Sequence, residues 1–423
     1  MAYKKNIQLY KALIILQALF FTKELHAQNT TSPYSILGIG DIETKDFGRW
    51  YGMGSTSIAL NNPWYINSSN PASLMGLTER MMNIDLVNRG KNASFRYADA
   101  DTFTASTKDM SVRRISIAFK PNKKNAFSFG LKPFSTVNYL LAETNAIYDY
   151  SSTLAKTVDG SGGLNQVYFS YARQLTKNLS AGITSSYYFG SRNILTTYYG
   201  QNLSVALEKQ QYDIMNAFQF QAGLQYKITT ASGVNHQFGL TVSNPATIKQ
   251  RTESEYLSNS VSIKEVNETK KDFTLPLSLG LGYAVVFDDD LTISADAVYN
   301  NWSKQKLAYA NSYTTPSGRL SAGIEYISRR RSGNYWIENW YVQGGISAEK
   351  NYFTVEGKDL NTYSVTGGFG KNLSPLISVY GGYEVGIRGN NANGQIKEKF
   401  SQYVIGFTLK EFWFNFKKYG RYQ

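Results

Sequence analysis

Residues 317–328 read Ser-Gly-Arg-Leu-Ser-Ala-Gly-Ile-Glu-Tyr-Ile-Ser, and apolar and polar positions alternate one by one. A β-strand sends successive side chains to opposite faces. Leu320, Ala322, Ile324 and Tyr326 therefore share one face, and Ser321, Gly323 and Glu325 the other. The same split sets Phe218, Phe220, Ala222, Leu224 and Tyr226 against Gln219, Gln221, Gln225 and Lys227. It also sets Ile377, Val379, Tyr383, Val385 and Ile387 against Ser378, Tyr380, Glu384 and Arg388. From 273 to 285, the outward set is read as Phe273, Leu275, Leu277, Leu279, Leu281, Tyr283 and Val285.

Strand length separates a soluble sandwich from a membrane barrel. Sandwich strands usually have about five or six residues, whereas crossing a bilayer at a tilt takes about nine to eleven. Fourteen runs between residues 81 and 410 mostly reach that length, an even count as a bacterial single-chain barrel requires. The connections alternate between short (121–123, 175–177, 229–235, 287–289, 329–338, 371–375) and long (99–110, 151–162, 200–214, 257–271, 305–316, 349–360, 390–398). Outer-membrane barrels have short periplasmic turns and long external loops. The expected fold is all-β: a transmembrane antiparallel β-barrel of about 14 strands spanning 79–423, with extracellular loops and both termini in the periplasm. Trp302, Trp340 and Trp413, near strand ends, are read as girdle residues.

Lys4, Lys5 and Lys11 precede the apolar run from Ala12 to Phe21, too short to span a bilayer, and Leu25-His26-Ala27 offers a cleavage site. Residues 1–27 thus read as a signal peptide, and the expected location is the outer membrane of a Gram-negative bacterium. The formal charge of the 423-residue chain is +13; losing four lysines and Glu24 with the leader leaves +10. Lys and Arg are scattered along strands and loops, without the basic patch that nucleic acid requires.

The absence of Cys excludes disulfide scaffolds, thiolate metal sites and cysteine nucleophiles. Beyond the leader His236 is the only imidazole, so no His cluster exists, and it reads as a solvated turn residue. A mean hydropathy of −0.34, with no 18-residue apolar stretch beyond the leader, rules out a bundle of membrane helices. Gly52-x-Gly54 lacks the third glycine and the strand-helix unit of a dinucleotide site. Neither enzyme activity, nor a cofactor, nor a metal is expected.

Fourteen strands enclose a lumen too wide for side chains alone to fill. Residues 28–78 lack barrel-length alternation but carry Ile58, Leu60, Trp64, Leu74 and Met75, and are assigned as a plug. Within them, Arg49-Trp50-Tyr51-Gly52-Met53-Gly54-Ser55-Thr56-Ser57-Ile58-Ala59, followed by Asn70-Pro71-Ala72-Ser73-Leu74, resembles the N-terminal hatch of the FadL family of outer-membrane transporters for long-chain fatty acids and other hydrophobic compounds. The resemblance implies a hatch with Gly52, Gly54, Asn70, Pro71 and Ala72 beside a ligand pocket. It also implies sideways release of cargo where the third strand kinks, here at Gly130 and Pro133. Inward Lys132, Lys227 and Arg388 would either hold a carboxylate headgroup or, the preferred reading, be neutralised across the lumen by Glu325 and Glu384. Two functions stay open: passive uptake of small hydrophobic molecules, or an accessory, scaffold barrel in a larger secretion or insertion assembly. Partners expected accordingly are outer-membrane lipid and either a hydrophobic cargo or other outer-membrane subunits. The long loops and the basic run Arg329 to Arg331 suit partner contacts as well as ligand capture.

Overall fold

The computed structural model describes residues 32–412 apart from 97–103, 147–152, 201–206, 259–260, 308–310, 333–334 and 392–394. The expected leader 1–27 and Trp413 lie outside the described residues. A two-residue strand, β1 (Asp41–Ile42), and three 3₁₀ turns, Pro33–Ile36, Arg49–Met53 and Pro71–Gly76, precede the wall. The wall comprises β2 (Met81–Arg96), β3 (Thr104–Asn122), β4 (Asn125–Ala146), β5 (Thr153–Gln174), β6 (Leu179–Gly200), β7 (Leu207–Thr229), β8 (Asn235–Ser243) and β9 (Ala246–Ser258). It continues with β10 (Val261–Leu275), β11 (Leu277–Phe287), β12 (Leu291–Asn301), β13 (Ser317–Ser332), β14 (Tyr335–Val355), β15 (Lys358–Asn372), β16 (Ile377–Arg388) and β17 (Lys397–Phe412).

All neighbouring wall strands pair antiparallel, and β17 pairs with β2 from Lys397↔Arg96 to Phe412↔Met81, so the sheet closes on itself. β8 and β9 are one wall strand interrupted at Asn244-Pro245, and β10 and β11 one interrupted at Pro276. Counted this way the barrel has 14 strands. Each of the fourteen alternating runs corresponds to one of them.

The two interruptions sit side by side, because proline gives the ladder no N–H, and each resets which face is inward. Leu275 is 2% exposed inside while Leu277 is 43% exposed outside. Phe273 also packs inward, so these two residues do not belong to the outward set assigned to them from the sequence. Outside, Leu281, Leu320, Ile346, Val365 and Phe369 form the apolar band that faces lipid. Leu281 lies six residues above the end of β11, near mid-bilayer for a tilted strand. Leu281→Arg is expected to destabilise the barrel by about 2–4 kcal/mol, measured by reversible denaturant unfolding in lipid vesicles.

Several strands are far taller than a bilayer needs. β4, β5 and β6 have 22 residues and β7 has 23. Most of 153–162, 207–214, 261–271 and 349–355, expected as loops, is therefore strand. These stretches extend the wall past the runs read from the sequence; their apolar residues, such as Val158 and Phe353 inside and Leu207 and Val261 outside, are too interspersed with polar ones to show a sustained one-face alternation. Trp302 is likewise not a girdle residue: it is 7% exposed, donates to Ser317 Oγ at 3.1 Å and stacks on Tyr352 inside the wall. Trp340 does face out, beside Tyr326 and Phe369. His236 lies on β8, not in a turn, with Nδ1 2.8 Å from the outward Tyr283 hydroxyl.

Candidate functional site

Residues 32–78 meet the inner surface of the wall around its circumference, and glycine makes the closest approaches. Four pairs of inward glycines face each other across neighbouring strands: Gly182↔Gly223, Gly239↔Gly282, Gly323↔Gly345 and Gly368↔Gly382. A Cβ on Gly239 would lie 2.2 Å from Ile58 O, and one on Gly345 2.3 Å from Gly54 N. On Gly223 it would lie 2.1 Å from Asn70 Oδ1, and on Gly368 2.9 Å from Gly52 Cα. These wall backbones touch the leading segment directly, which no larger residue permits. The signal was present in the sequence, since each glycine occupies an inward position of an alternating run.

Charge fastens the same segment. Arg49, 2% exposed, places Nη1 2.6 Å from Glu338 and Nη2 3.1 Å from Glu325. Its guanidinium lies between two rings, 3.9 Å from the Tyr341 centroid and 4.6 Å from that of Tyr65. Burial opposes its charged form, but Glu325 and Glu338 outweigh burial and keep it protonated. A bulge in β3 opposite Val87 and Asn88 turns two successive arginines inward. Arg113 then reaches Glu43 at 2.7 Å, and Arg114 reaches Asp46 at 2.6 Å and also Asp85. Arg388 grips Asp41 with two hydrogen bonds of 2.9 Å, and Lys45 pairs with Glu384. Burial raises the Asp41 and Asp46 carboxyls, but Arg388 and Arg114 more than offset it and hold both below the usual range. Asp296 accepts from the backbone N–H of Ser57 at 2.6 Å and of Ile58 at 3.0 Å.

The partners of Glu325, Glu384 and Arg388 are thus Arg49, Lys45 and Asp41 of the leading segment, not one another across the lumen. Lys227 is exposed near the end of β7, and Lys132 faces inward beneath the Tyr168 ring at 5.7 Å.

The sequence-derived hatch residues are packed into this contact. Gly54 ends its 3₁₀ turn at φ +68°, donates from N to Thr366 Oγ1 at 2.8 Å, and Thr366 donates back to Gly52 O at 2.8 Å. Asn70, fully buried, caps the third turn through Ala72 N at 3.0 Å and donates to Ile58 O and Leu224 O. Pro71 lies against Gly182 and Gly223, and Ala72 O accepts from Ser180 Oγ at 3.2 Å.

The wall itself is interrupted at the third strand. β3 and β4 pair from Asn122↔Asn125 up to Ile115↔Leu131, and the ladder stops there, two residues before Pro133. Gly130 faces inward under Tyr168, and a bulge at Phe134 follows the proline. Above the break the freed edge of β4 pairs with the leading segment: Asp41↔Thr136, Ile42↔Ser135, Glu43 N to Phe134 O at 2.9 Å, and Asn138 N to Ser35 Oγ at 3.0 Å. Bare backbone amides facing hydrocarbon are costly, and this pairing covers the β4 side of the break.

Beside the break lies a lumenal cavity of about 260 Å³, with Lys45, Arg114, Lys132, Pro133, Gln221 and Arg319 among its lining residues. Gly52, Gly54, Asn70, Pro71 and Ala72 are not among them. Tyr34, Leu37 and Ile39 fill the apolar upper lumen against Leu164, Ile248 and Phe353. The larger apolar hollow, about 1400 Å³, is instead on the outer wall, lined by Leu281, Ala297, Leu320, Ala322, Ile346 and Val365 among others.

Solved structures of similar shape are outer-membrane channels. A Pseudomonas aeruginosa FadL homologue superposes with a TM-score of 0.61 at 11% identity, over 88% of this chain and 99% of that one. The toluene transporter TbuX of Ralstonia pickettii gives 0.56 at 14%, over 85% and 97%. The monoaromatic hydrocarbon channel CymD gives 0.53 at 15%, over 86% and 97%. These likenesses show the FadL-type barrel fold, that of Gram-negative outer-membrane proteins. Curated proteins yield no sequence match. The family model described as BamG matches residues 9–420, nearly the whole length, and the chain belongs to the BamG family.

Proposed function

We propose that this protein is a non-conducting barrel that serves as an accessory, scaffold subunit of a larger outer-membrane protein assembly. The observation that carries the reading is the fastening of residues 32–78 to the wall by glycine contacts and buried ion pairs around the lumen. A hatch that moved aside would take Arg49 and Lys45 with it and leave Glu325, Glu338 and Glu384 buried without cations, each at a cost of several kcal/mol. The lumenal cavity beside the break is small, and Lys45, Asp46, Arg113, Arg114, Lys132 and Arg319 share its lining with apolar side chains, so an apolar cargo would meet buried charge there. In this reading 1–27 is the signal peptide, 28–78 a fixed plug, and Gly52, Gly54, Asn70, Pro71 and Ala72 are seating residues. The short turns and both termini face the periplasm.

The second reading, passive uptake of small hydrophobic molecules with lateral release, draws on one observation: the β3–β4 ladder ends beside Pro133 and the cavity. One comparison separates the two. A deletion strain is assayed for uptake of toluene and oleate and for the surface display of exported proteins. The scaffold reading expects unchanged uptake and impaired display; lost uptake with normal display would overturn it and favour the lateral route at Gly130 and Pro133.

A further inference from the structure

The hairpin of β13 and β14 extends past its neighbours at the short-turn end. β12 accompanies β13 only to Leu291↔Tyr326, and β15 accompanies β14 only to Trp340↔Lys371. Beyond those pairs the two strands hold each other through Arg329↔Glu338, Arg330↔Ile337 and Arg331↔Trp336. Asn339 is an extra residue opposite this ladder, a bulge that increases the ribbon's twist.

The base of the ribbon is rigid. Glu338 holds Arg49 on the inside, Asn372 Nδ2 donates to Glu338 O at 2.8 Å, and Arg329 pairs with Asp290 at 3.0 Å. The tip is open: Trp336 is 66% exposed, and Arg330 and Arg331 are exposed beside it. Depth decides what this tip meets. Trp340 lies in the aromatic girdle with Tyr326 and Phe369, at 6.1 and 6.5 Å. Trp336 is three ladder rungs further out, because the bulged Asn339 adds none: about 10 Å along the strand, or about 8 Å along the membrane normal at a barrel's tilt. The headgroup layer is only about 5–7 Å thick on each side. The indole therefore stands at the outer limit of the headgroup layer or just beyond it, on a rigid arm, directly across from Arg331, with Arg330 on the other face of the same ribbon.

We propose that the paired strands Ile327–Arg331 and Trp336–Trp340 of this ribbon are a docking element for an acidic segment of a protein partner on the short-turn side of the barrel. Trp336 supplies the anchor and Arg330 and Arg331 the charge, the residue types that dominate interface energies. Beyond the bonds of Ile327 N to Asp290 O and of Asn372 to Glu338 O at its base, no further strand flanks the ribbon among the described residues, so its outer edges can take an added strand. The proposal rests on the scaffold reading and names the surface that reading requires.

The test uses the full chain purified from outer membranes in mild detergent, with its stoichiometric partners counted. The double variant Arg330→Glu, Arg331→Glu is expected to lose a partner that the wild type retains, and Trp336→Ala to weaken its retention by at least about tenfold. Both variants should keep the wild-type heat-modifiable band shift of a folded barrel. If the wild type purifies alone, the scaffold reading itself fails and the ribbon with it. If partners are present and both variants keep them, the ribbon proposal alone is overturned. A lipid role is read separately, in vesicles containing brominated phosphatidylglycerol. Quenching that disappears in Trp336→Phe would place the indole in the bilayer and overturn the proposal; unchanged quenching supports it.

Discussion

Arg49→Ala is expected to cost about 3–5 kcal/mol of stability, because it leaves Glu325 and Glu338 buried without the cation they share. The loss includes the two ring contacts with Tyr65 and Tyr341. Lysine should recover little, since one ammonium cannot reproduce a fork that reaches two carboxylates while lying between two rings. A triple replacement, Arg49→Met with Glu325→Gln and Glu338→Gln, should restore much of the loss by removing the orphaned charges together with their partner. Denaturant midpoints of the refolded barrel in lipid vesicles provide the measurement. A single-variant cost below about 1 kcal/mol would mean that the pair is solvated and that the segment is not held there.

The second large effect concerns space. A Leu side chain at position 345 must begin where Gly54 N and Met53 C already lie, 2.3 Å away. Both obstacles are backbone, so neither can rotate aside. Gly345→Leu is expected to displace the stretch around Met53 from the wall, with protease cleavage between Arg49 and Arg80 and ion conductance through a lumen that the fixed-plug proposal holds closed. Gly344→Leu is the matched control, because Gly344 faces lipid and its nearest neighbour for a Cβ is Ile324 Cγ2 at 3.9 Å. Equal behaviour of the two variants in planar-bilayer recordings would contradict the proposed seat.

The contrast between these two positions shows what the amino-acid sequence discloses and what it conceals. Alternation around Leu320 to Tyr326 announces a wall with one greasy face, because lipid imposes one chemistry on a whole side of the barrel. The upper segment around Val158 packs that side chain against Val137 and Tyr139 inside, but its neighbours are mixed in polarity and carry no such imprint. Pro276 was visible, but the change of face between Leu275 and Leu277 depends on how the neighbouring strand answers the break at Asn244-Pro245. The Asn70-Pro71-Ala72 motif could be read; its partners Gly182 and Gly223 could not, since their pairing exists only after the register of β6 and β7 is set. Glu325, Glu384 and Arg388 were each recognised as inward, and their partners were missed because a lumen read from strands alone leaves out the charges of the chain inside it.

Ser32 donates to Glu398 across 366 residues of sequence, and Arg388 closes on Asp41 across 347. Residues made first thus obtain partners only when those made last arrive, and they do so inside a tube whose seam is the junction of β2 with β17. A stopper bound to every side of a bottle cannot be inserted through the finished neck; it has to be present while the glass is blown. The expected order of biogenesis follows: residues 32–78 are held in place before β2 and β17 are joined, and contacts across so long a span should make that step slow.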